Sequence, residues 1–322
     1  MPPYFSLAMK GFSMIKTANV NLESNFRIVV MSDSQGHNNG INEKTLKALL
    51  NATKHSDINP KYIVFTGDLV SGSKDSAVLQ SQFENFKRVF TEYYAIEKLL
   101  PIAGNHDLGR HSKDDSREFL FSEIFSEFKA TGFATGYNRT VYYIDIGDTR
   151  LIMLNAFHNG ENNEITGHQL GWFKKVVSEP YYNKIIFVHS PPFPTGAHVD
   201  KPLNKYTYEQ YKFWDVVDKN DVFLVLSGHE HNYSRRIIND CFNCSCFNFS
   251  KSICQVISGG AGGKLKNAFY DTRNVIIPPT PVNHFLLLDI STDFIHASAI
   301  SAEGNLIDKF SIVKNGLQLI KN

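Results

Sequence analysis

Short unbroken apolar runs alternate with amphipathic stretches through most of this chain. Residues 27–32, 63–66, 100–103, 185–188 and 223–227 are continuous runs dominated by Ile, Val, Leu and Phe, each only a few residues long. Such runs predict strands covered on both faces. Between them, apolar positions recur at helical spacing. Helices are predicted over about 42–55 (Leu46, Leu49, Leu50), 76–94 (Leu79, Phe83, Phe86, Phe90) and 115–129 (Phe119, Ile124, Phe128). Two more are predicted over 168–178 (Leu170, Phe173, Val177) and 209–219. These aromatic stripes read as core. From residue 140 onward strands also come in pairs, such as 141–146 and 150–154 across Gly147-Asp148, a hairpin signal, and two further strands are predicted over 234–239 and 252–258. The alternation predicts an α/β architecture.

What ends each apolar run matters more than the run itself. In chain order the endings are Asp33-x-Gln35, Gly67-Asp68, Gly104-Asn105-His106-Asp107, His189 and Gly228-His229-Glu230-His231. Residues just past the carboxyl ends of buried strands converge on one crevice. One such histidine is unremarkable; five blocks of ligand-type residues in one chain predict a metal centre.

The blocks resemble the calcineurin-like metallophosphoesterase superfamily, which includes purple acid phosphatases and cyclic-nucleotide phosphodiesterases. Its pattern is Asp-x-His, Gly-Asp, Gly-Asn-His-Asp/Glu, a lone His, then Gly-His-x-His, and the resemblance covers about residues 26–312. One departure stands in the first block, where Gln35 replaces the usual His. An amide oxygen can still coordinate; the other reading is a hydrogen bond nearby. The resemblance implies a four-layer sandwich of two mixed β-sheets flanked by α-helices, the metallo-dependent phosphatase fold. It implies two divalent cations bridged by Asp68, with Asp33, Gln35 and His231 completing the first site and Asn105, His189 and His229 the second. Carboxylate, amide oxygen and imidazole together suit Mn, Fe or Zn, and the oxygen of Gln35 tilts the choice slightly towards Mn. His106 is expected to stabilise phosphoryl oxygens or protonate the leaving oxygen, and Asp107 to orient it or to cap the following loop.

The implied activity is hydrolysis of phosphate esters, mono- or diester, with a metal-activated water. A non-catalytic protein-binding scaffold of the same fold and a protein phosphatase, for which Arg110 and Arg117 stand near the third block, are the alternatives. Gly259 to Gly263 and the sequence His229 to Arg235 resemble the purple acid phosphatase branch. Ser71, however, stands where that branch carries its iron-binding tyrosine. The Gly-rich segment lacks the Gly-Lys-Ser/Thr ending of a P-loop and is expected to pass beneath the metal-bearing loops. For the substrate, His198 and Tyr233 are the leading candidates among loop residues that also include His37, Asn38, Arg110, His111, His158, Phe193 and Arg235. Glu230 is expected to support its neighbours or face solvent.

Composition narrows the remaining classes. The chain has 322 residues, 33 Lys and Arg against 32 Asp and Glu, and a formal charge of +1. With the signs interspersed there is no footprint for nucleic-acid backbone or an anionic membrane. No run approaches the roughly 20 apolar residues of a membrane span. Residues 1–25 are expected to form an extension and 26–322 a single domain, since any cut would split the site. The first 23 residues lack the apolar core of a signal peptide, so a cytoplasmic protein is expected. Asn-x-Ser/Thr triplets at Asn51, Asn138, Asn232, Asn243 and Asn248 carry little weight. Cys241, Cys244, Cys246 and Cys254 cluster on one short segment, where disulfides, free thiols and a zinc site all remain open and leave a secretory compartment possible.

Overall fold

The computed structural model describes residues 25–37, 39–55, 58–109, 115–181, 183–196, 198, 202–242 and 249–313. The first half alternates strand and helix: β1 (Asn25–Met31), α1 (Glu43–His55), β2 (Tyr62–Phe65), α2 (Ser76–Thr91) and β3 (Leu99–Pro101). A one-turn helix α3 (Asn105–Leu108) and α4 (Ser116–Ile124) follow, then β4 (Gly132–Phe133), β5 (Tyr142–Ile146) and β6 (Thr149–Leu154). Next come α5 (Gly167–Val177), β7 (Asn183–Val188), α6 (Thr207–Lys219) and β8 (Val222–Ser227). The remainder is all strand: β9 (Tyr233–Ile238), β10 (Ile253–Ser258), β11 (Val275–Thr280), β12 (His284–Ser291), β13 (Phe294–Ser301) and β14 (Leu306–Val313).

These strands form a six-stranded sheet in the order β14-β13-β12-β1-β2-β3 and an eight-stranded sheet in the order β11-β9-β10-β8-β7-β6-β5-β4. Both are mixed. Strands β1, β2 and β3 run parallel, as do β6, β7, β8 and β10, while β12 to β14 and the β4-β5-β6 and β10-β9-β11 edges are antiparallel. The predicted hairpin is present, with Ile146 opposite Thr149.

Alternation within each buried run explains the layers. Ile28 and Val30 point into an apolar interior between the sheets, shared with Leu151, Met153, Phe187 and Leu226. Their neighbours Val29 and Met31 join the cluster that holds the helical residues Leu46, Leu50, Phe83 and Phe86. A strand buried on both faces therefore needs no polar positions until it ends. The predicted faces of α1, α2 and α5 are the buried ones.

Helix α4 departs from expectation. It stops at Ile124, and Phe119 is 55% exposed. The buried face carries Phe121 and Phe125, whose rings meet Phe83 at 5.6 and 5.7 Å. Glu118 shares that face, buried where it accepts hydrogen bonds from Thr140 and Asn155 and pairs with His158 at 2.7 Å. A glutamate pointing inwards rotates the helix away from the purely apolar stripe, and Phe128 lies beyond the helix against Tyr142.

The same polar pocket holds Glu161, which accepts from the Tyr137 hydroxyl at 3.0 Å and from the Gln169 amide. Among the described residues no helix is long and apolar enough to cross a membrane. Cys241 is exposed and Cys254 buried on β10, both as free thiols; Cys244 and Cys246 lie outside the described residues.

Burial pushes the Glu161 carboxyl up to about 7. The folded chain then holds this proton more tightly than the unfolded chain, whose Glu titrates near 4.3. The contribution of this group to stability is thus fully present below about pH 4 and is lost as pH rises towards 7, by roughly 3 kcal/mol. Glu161→Gln removes that slope, so urea midpoints between pH 5 and pH 8 are expected to fall less than in the wild type. Identical slopes would contradict the assignment.

Candidate metal centre

The crevice lies where the carboxyl ends of both sets of parallel strands meet. Asp33 follows β1, Asp68 follows β2, Asn105 opens α3 just past β3, His189 follows β7, and His229 and His231 sit between β8 and β9. The turns are tight. Asp33, Asp68, His229 and His231 all have positive φ, at 64, 50, 74 and 51°. Non-glycine residues rarely adopt that conformation, and the cost is carried only where surrounding contacts dictate it. Here Asp33 N–H donates to Gly67 O and Ser34 N–H to Asp68 O, locking the first two loops together. Two glycines permit the approach. Gly67 has φ of 94° and a Cβ there would fall 2.4 Å from His189 Nδ1; a Cβ on Gly228 would fall 2.5 Å from Asp33 Oδ2.

The side chains gather into two groups that share one carboxylate. Donor atoms of Asp68, His189 and His229 lie within 4.8 Å of one another, as do those of Asp33, Asp68 and His231. Asp68 Oδ1 accepts the His106 backbone N–H at 2.8 Å, and its Oδ2 faces His189 Nε2 at 3.3 Å and the Gln35 amide at 3.2 Å. Asp33 Oδ2 accepts the His229 N–H at 2.9 Å, which leaves Oδ1 towards His231 Nε2 at 3.4 Å. Backbone carbonyls set the imidazoles: His189 Nδ1 bonds Thr66 O at 2.7 Å and His231 Nδ1 bonds Lys264 O at 3.0 Å. A carbonyl can only accept, so both rings carry the proton on Nδ1 and present Nε2 to the crevice. Asn105 is buried in the wall beside them.

Electrostatics in this volume are strong. Burial opposes ionisation of Asp68, yet His189, His106 and His229 hold it well below the usual carboxylate range. Burial likewise disfavours the His189 imidazolium, but Asp68 overrides it and lifts the pKa to about 9. His231 is raised by Asp33 against burial in the same way. Acids that hold imidazole protons this firmly also attract a cation, and proton and cation compete for the same nitrogen. Divalent cations suit the donor set on a further observation: Asp33 Oδ1, which faces the group, is buried and accepts no hydrogen bond. Buried acceptors normally find partners, and hard oxygen beside imidazole is a divalent-metal donor set.

His106 lines the crevice with its side chain 41% exposed and Nε2 4.0 Å from Asp68 Oδ2. Its Nδ1 bonds Ser71 O at 2.8 Å. Asp107 does not orient it. That carboxylate is fully buried and accepts from the N–H groups of Gly104 at 2.8 Å, Leu69 at 3.3 Å and Val70 at 3.2 Å, tying the second and third loops together. The expected Asp107–His106 pair is thereby corrected: at consecutive positions of one helical turn the two side chains diverge. Ser71 Oγ bonds the backbone of Gly36 instead of facing the donors.

The substrate candidates divide. His198 sits over the site, its ring 4.5 Å from that of His229 and its Nε2 paired with Lys266. Tyr233 does not reach the crevice; it is wholly buried between the sheets, its hydroxyl donating to Asp308 at 2.7 Å. Strand alternation turns Tyr233 and Arg235 to the same inner face, where Arg235 pairs with Asp308 at 2.6 Å. His158 is held by Glu118 and Phe193 packs against Trp214 and Phe242. Glu230 is buried and accepts the N–H groups of Thr195 at 2.8 Å and Gly196 at 2.9 Å, which anchors the loop carrying His198. Asn38, Arg110 and His111 lie outside the described residues. The Gly-rich segment does run beneath the loops, with Ala261 N–H donating to Ser32 O and Gly263 N–H to Asp33 O. The sequence reading missed Lys264, which lines the crevice with His37, Asn39 and Asn42 in a volume of about 820 Å³. Nothing in its local pattern distinguishes it from other loop lysines.

Two stacked mixed sheets with flanking helices, and acids and imidazoles at the carboxyl ends of their parallel strands, make up the metallo-dependent phosphatase fold. Residues 26–233 match the calcineurin-like phosphoesterase family, and the chain belongs to it. A cAMP/cGMP dual specificity phosphodiesterase of Mycobacterium tuberculosis (strain CDC 1551 / Oshkosh) is 28% identical over 191 residues, 58% of this chain and 53% of that protein. The match thus spans about half the length of that relative. Among solved structures, the purple acid phosphatase PPD1 from yellow lupin (Lupinus luteus) seeds superposes with a TM-score of 0.69 at 15% identity, covering 91% of this chain and 54% of the other. PhoD superposes with a TM-score of 0.64 at 11% identity, over 95% and 72% of the two chains. These structural likenesses concern the fold.

Asp107→Asn turns one acceptor oxygen into a donor facing backbone N–H groups. It is expected to cost about 1–3 kcal/mol of stability, read as a lowered melting temperature. A variant as stable as the wild type would remove Asp107 from its role as a loop clamp.

Proposed function

We propose that this chain is a dinuclear metal-dependent phosphoesterase hydrolysing phosphate mono- or diesters. One observation carries the reading: two groups of three donors, drawn from four separated segments, share the carboxylate of Asp68. Asp33, Gln35 and His231 would hold one cation with Asp68, and Asn105, His189 and His229 the other. Two divalent cations so held supply Lewis-acid polarisation of phosphoryl oxygens and a water acidified enough to attack. The chain's own residues do the positioning. Thr66 and Lys264 carbonyls fix His189 and His231, and the His106 N–H holds Asp68. With its Nδ1 proton on Ser71 O, His106 directs Nε2 to the crevice, where as imidazolium it donates to a phosphoryl or leaving oxygen. Low exposure of Asp33 and Asp68 keeps bulk water from screening these charges.

A scaffold without turnover draws on one contrary detail. Gln35 turns its amide nitrogen, not its oxygen, towards Asp68 Oδ2 at 3.2 Å and His231 Nε2 at 3.1 Å. Rotating the amide by half a turn exchanges the two atoms and supplies the oxygen.

Elemental analysis after loading with Mn, Fe or Zn, followed by assays on p-nitrophenyl phosphate, its bis ester and cyclic nucleotides, decides between them. Manganese is the first choice for loading. Bound metal without turnover on any of these would favour the scaffold. Chelation is expected to lower the melting temperature, since cations bound only by the native state stabilise it. His106→Ala is expected to keep its metals and lose about 10²- to 10⁴-fold in kcat; an unchanged kcat would exclude it from the reaction.

A further inference from the structure

The crevice has a second arm whose basic residues the proposed chemistry does not use. Ser71 and His106 line both arms; His231 and Lys264 belong to the larger, while Lys74, Asn105 and Arg117 line a recess of about 460 Å³. Arg117 is held against the loop that follows α3, since a Cβ on Gly109 would fall 2.2 Å from its Nη1. Neighbouring acids are occupied elsewhere. Asp75 caps α2 by accepting from the N–H groups of Ala77 at 2.8 Å and Val78 at 3.3 Å. Asp107 is spent on backbone N–H groups, and Glu118 faces the interior network of Thr140, Asn155 and His158. Among the described residues, neither Lys74 nor Arg117 forms an ion pair, with Asp115 or with any other acid. On the neighbouring helices α1 and α2, by contrast, Lys47 and Arg88 bridge Glu43 and Glu92, and Lys87 pairs with Glu127.

Two unneutralised cations in one recess attract an anion, and a guanidinium fork beside an ammonium matches tetrahedral phosphoryl oxygens. We propose that the recess of Lys74 and Arg117 binds a second phosphoryl group, so that the substrate is a diphosphate or bisphosphate compound. One phosphoryl group lies at Asp68, and its partner reaches past His106 into the recess. The position of the first group rests on the phosphoesterase reading above; the recess itself does not. His106 is then flanked by both groups, and Arg117 acts as a specificity determinant that never touches the reacting atoms.

Calorimetric titration of the Mn-loaded full chain tests this without turnover, using methylphosphonate against methylene- and butylene-bisphosphonate. At least one bisphosphonate is expected to bind about tenfold or more tightly than methylphosphonate, the scale of one charge-assisted contact. A Lys74→Ala/Arg117→Ala double variant is expected to lose that advantage while keeping its metal content and its methylphosphonate affinity. Arg117→Lys, which keeps the charge but not the fork, is expected to retain part of it. Survival of the advantage in the double variant, or an equal loss for both ligand types, overturns the subsite and leaves the phosphoesterase reading standing. Should methylphosphonate fail to bind while the bisphosphonates still depend on Lys74 and Arg117, the subsite stands and the reading of the Asp68 crevice falls. No binding of either to the wild type overturns both.

Discussion

A carboxylate buried without exposure must be compensated from every side, and Asp68 is that group here. One oxygen is met by the His106 backbone N–H and the other by His189 and Gln35. Each partner comes from a different strand end. The loops after β1, β2, β3 and β7 therefore have to arrive within hydrogen-bond distance of one another, and the rest of the architecture accommodates that demand.

The accommodation is visible in the backbone. Four of the gathered residues occupy left-handed conformations, which local propensity would not choose. They persist because each strained loop is tied to the next, Asp33 to Gly67, Ser34 to Asp68 and Gly228 to His189. Rigidity of this kind preorganises a charged cluster before any ligand arrives, so little reorganisation is left for the moment of binding. His106 stands apart from it. Its side chain is 41% exposed where that of Asp68 is 1%, which suits a group that meets substrate rather than one that holds the frame.

Not every acid in a chemical motif does chemistry. Asp107 and Glu230 lie beside histidines in the sequence, yet both turn their carboxylates onto backbone N–H groups and fix the loops that carry His106 and His198. Adjacent residues on a turn point in different directions, so neighbours in sequence are poor guides to partners in space. Tyr233 and Arg235 make the same point on a strand, where alternation commits them to Asp308 and the inter-sheet interior.

Apolar runs and their endings were legible in the chain itself, because a strand buried on both faces excludes polar residues until it ends and a helix repeats every 3.6 positions. Asp33, Asp68, His189, His229 and His231 could be singled out for that reason, together with the faces of α1, α2 and α5. Long-range closure decided the rest. The inward turn of Glu118 that rotates α4, the carbonyls of Thr66 and Lys264 that aim two imidazoles, and the meeting of Lys74 with Arg117 beside His106 all join residues whose local patterns carry no sign of each other. Local patterning sets which side chains are buried; which partner each one meets depends on how the two sheets stack, and no window of sequence contains that.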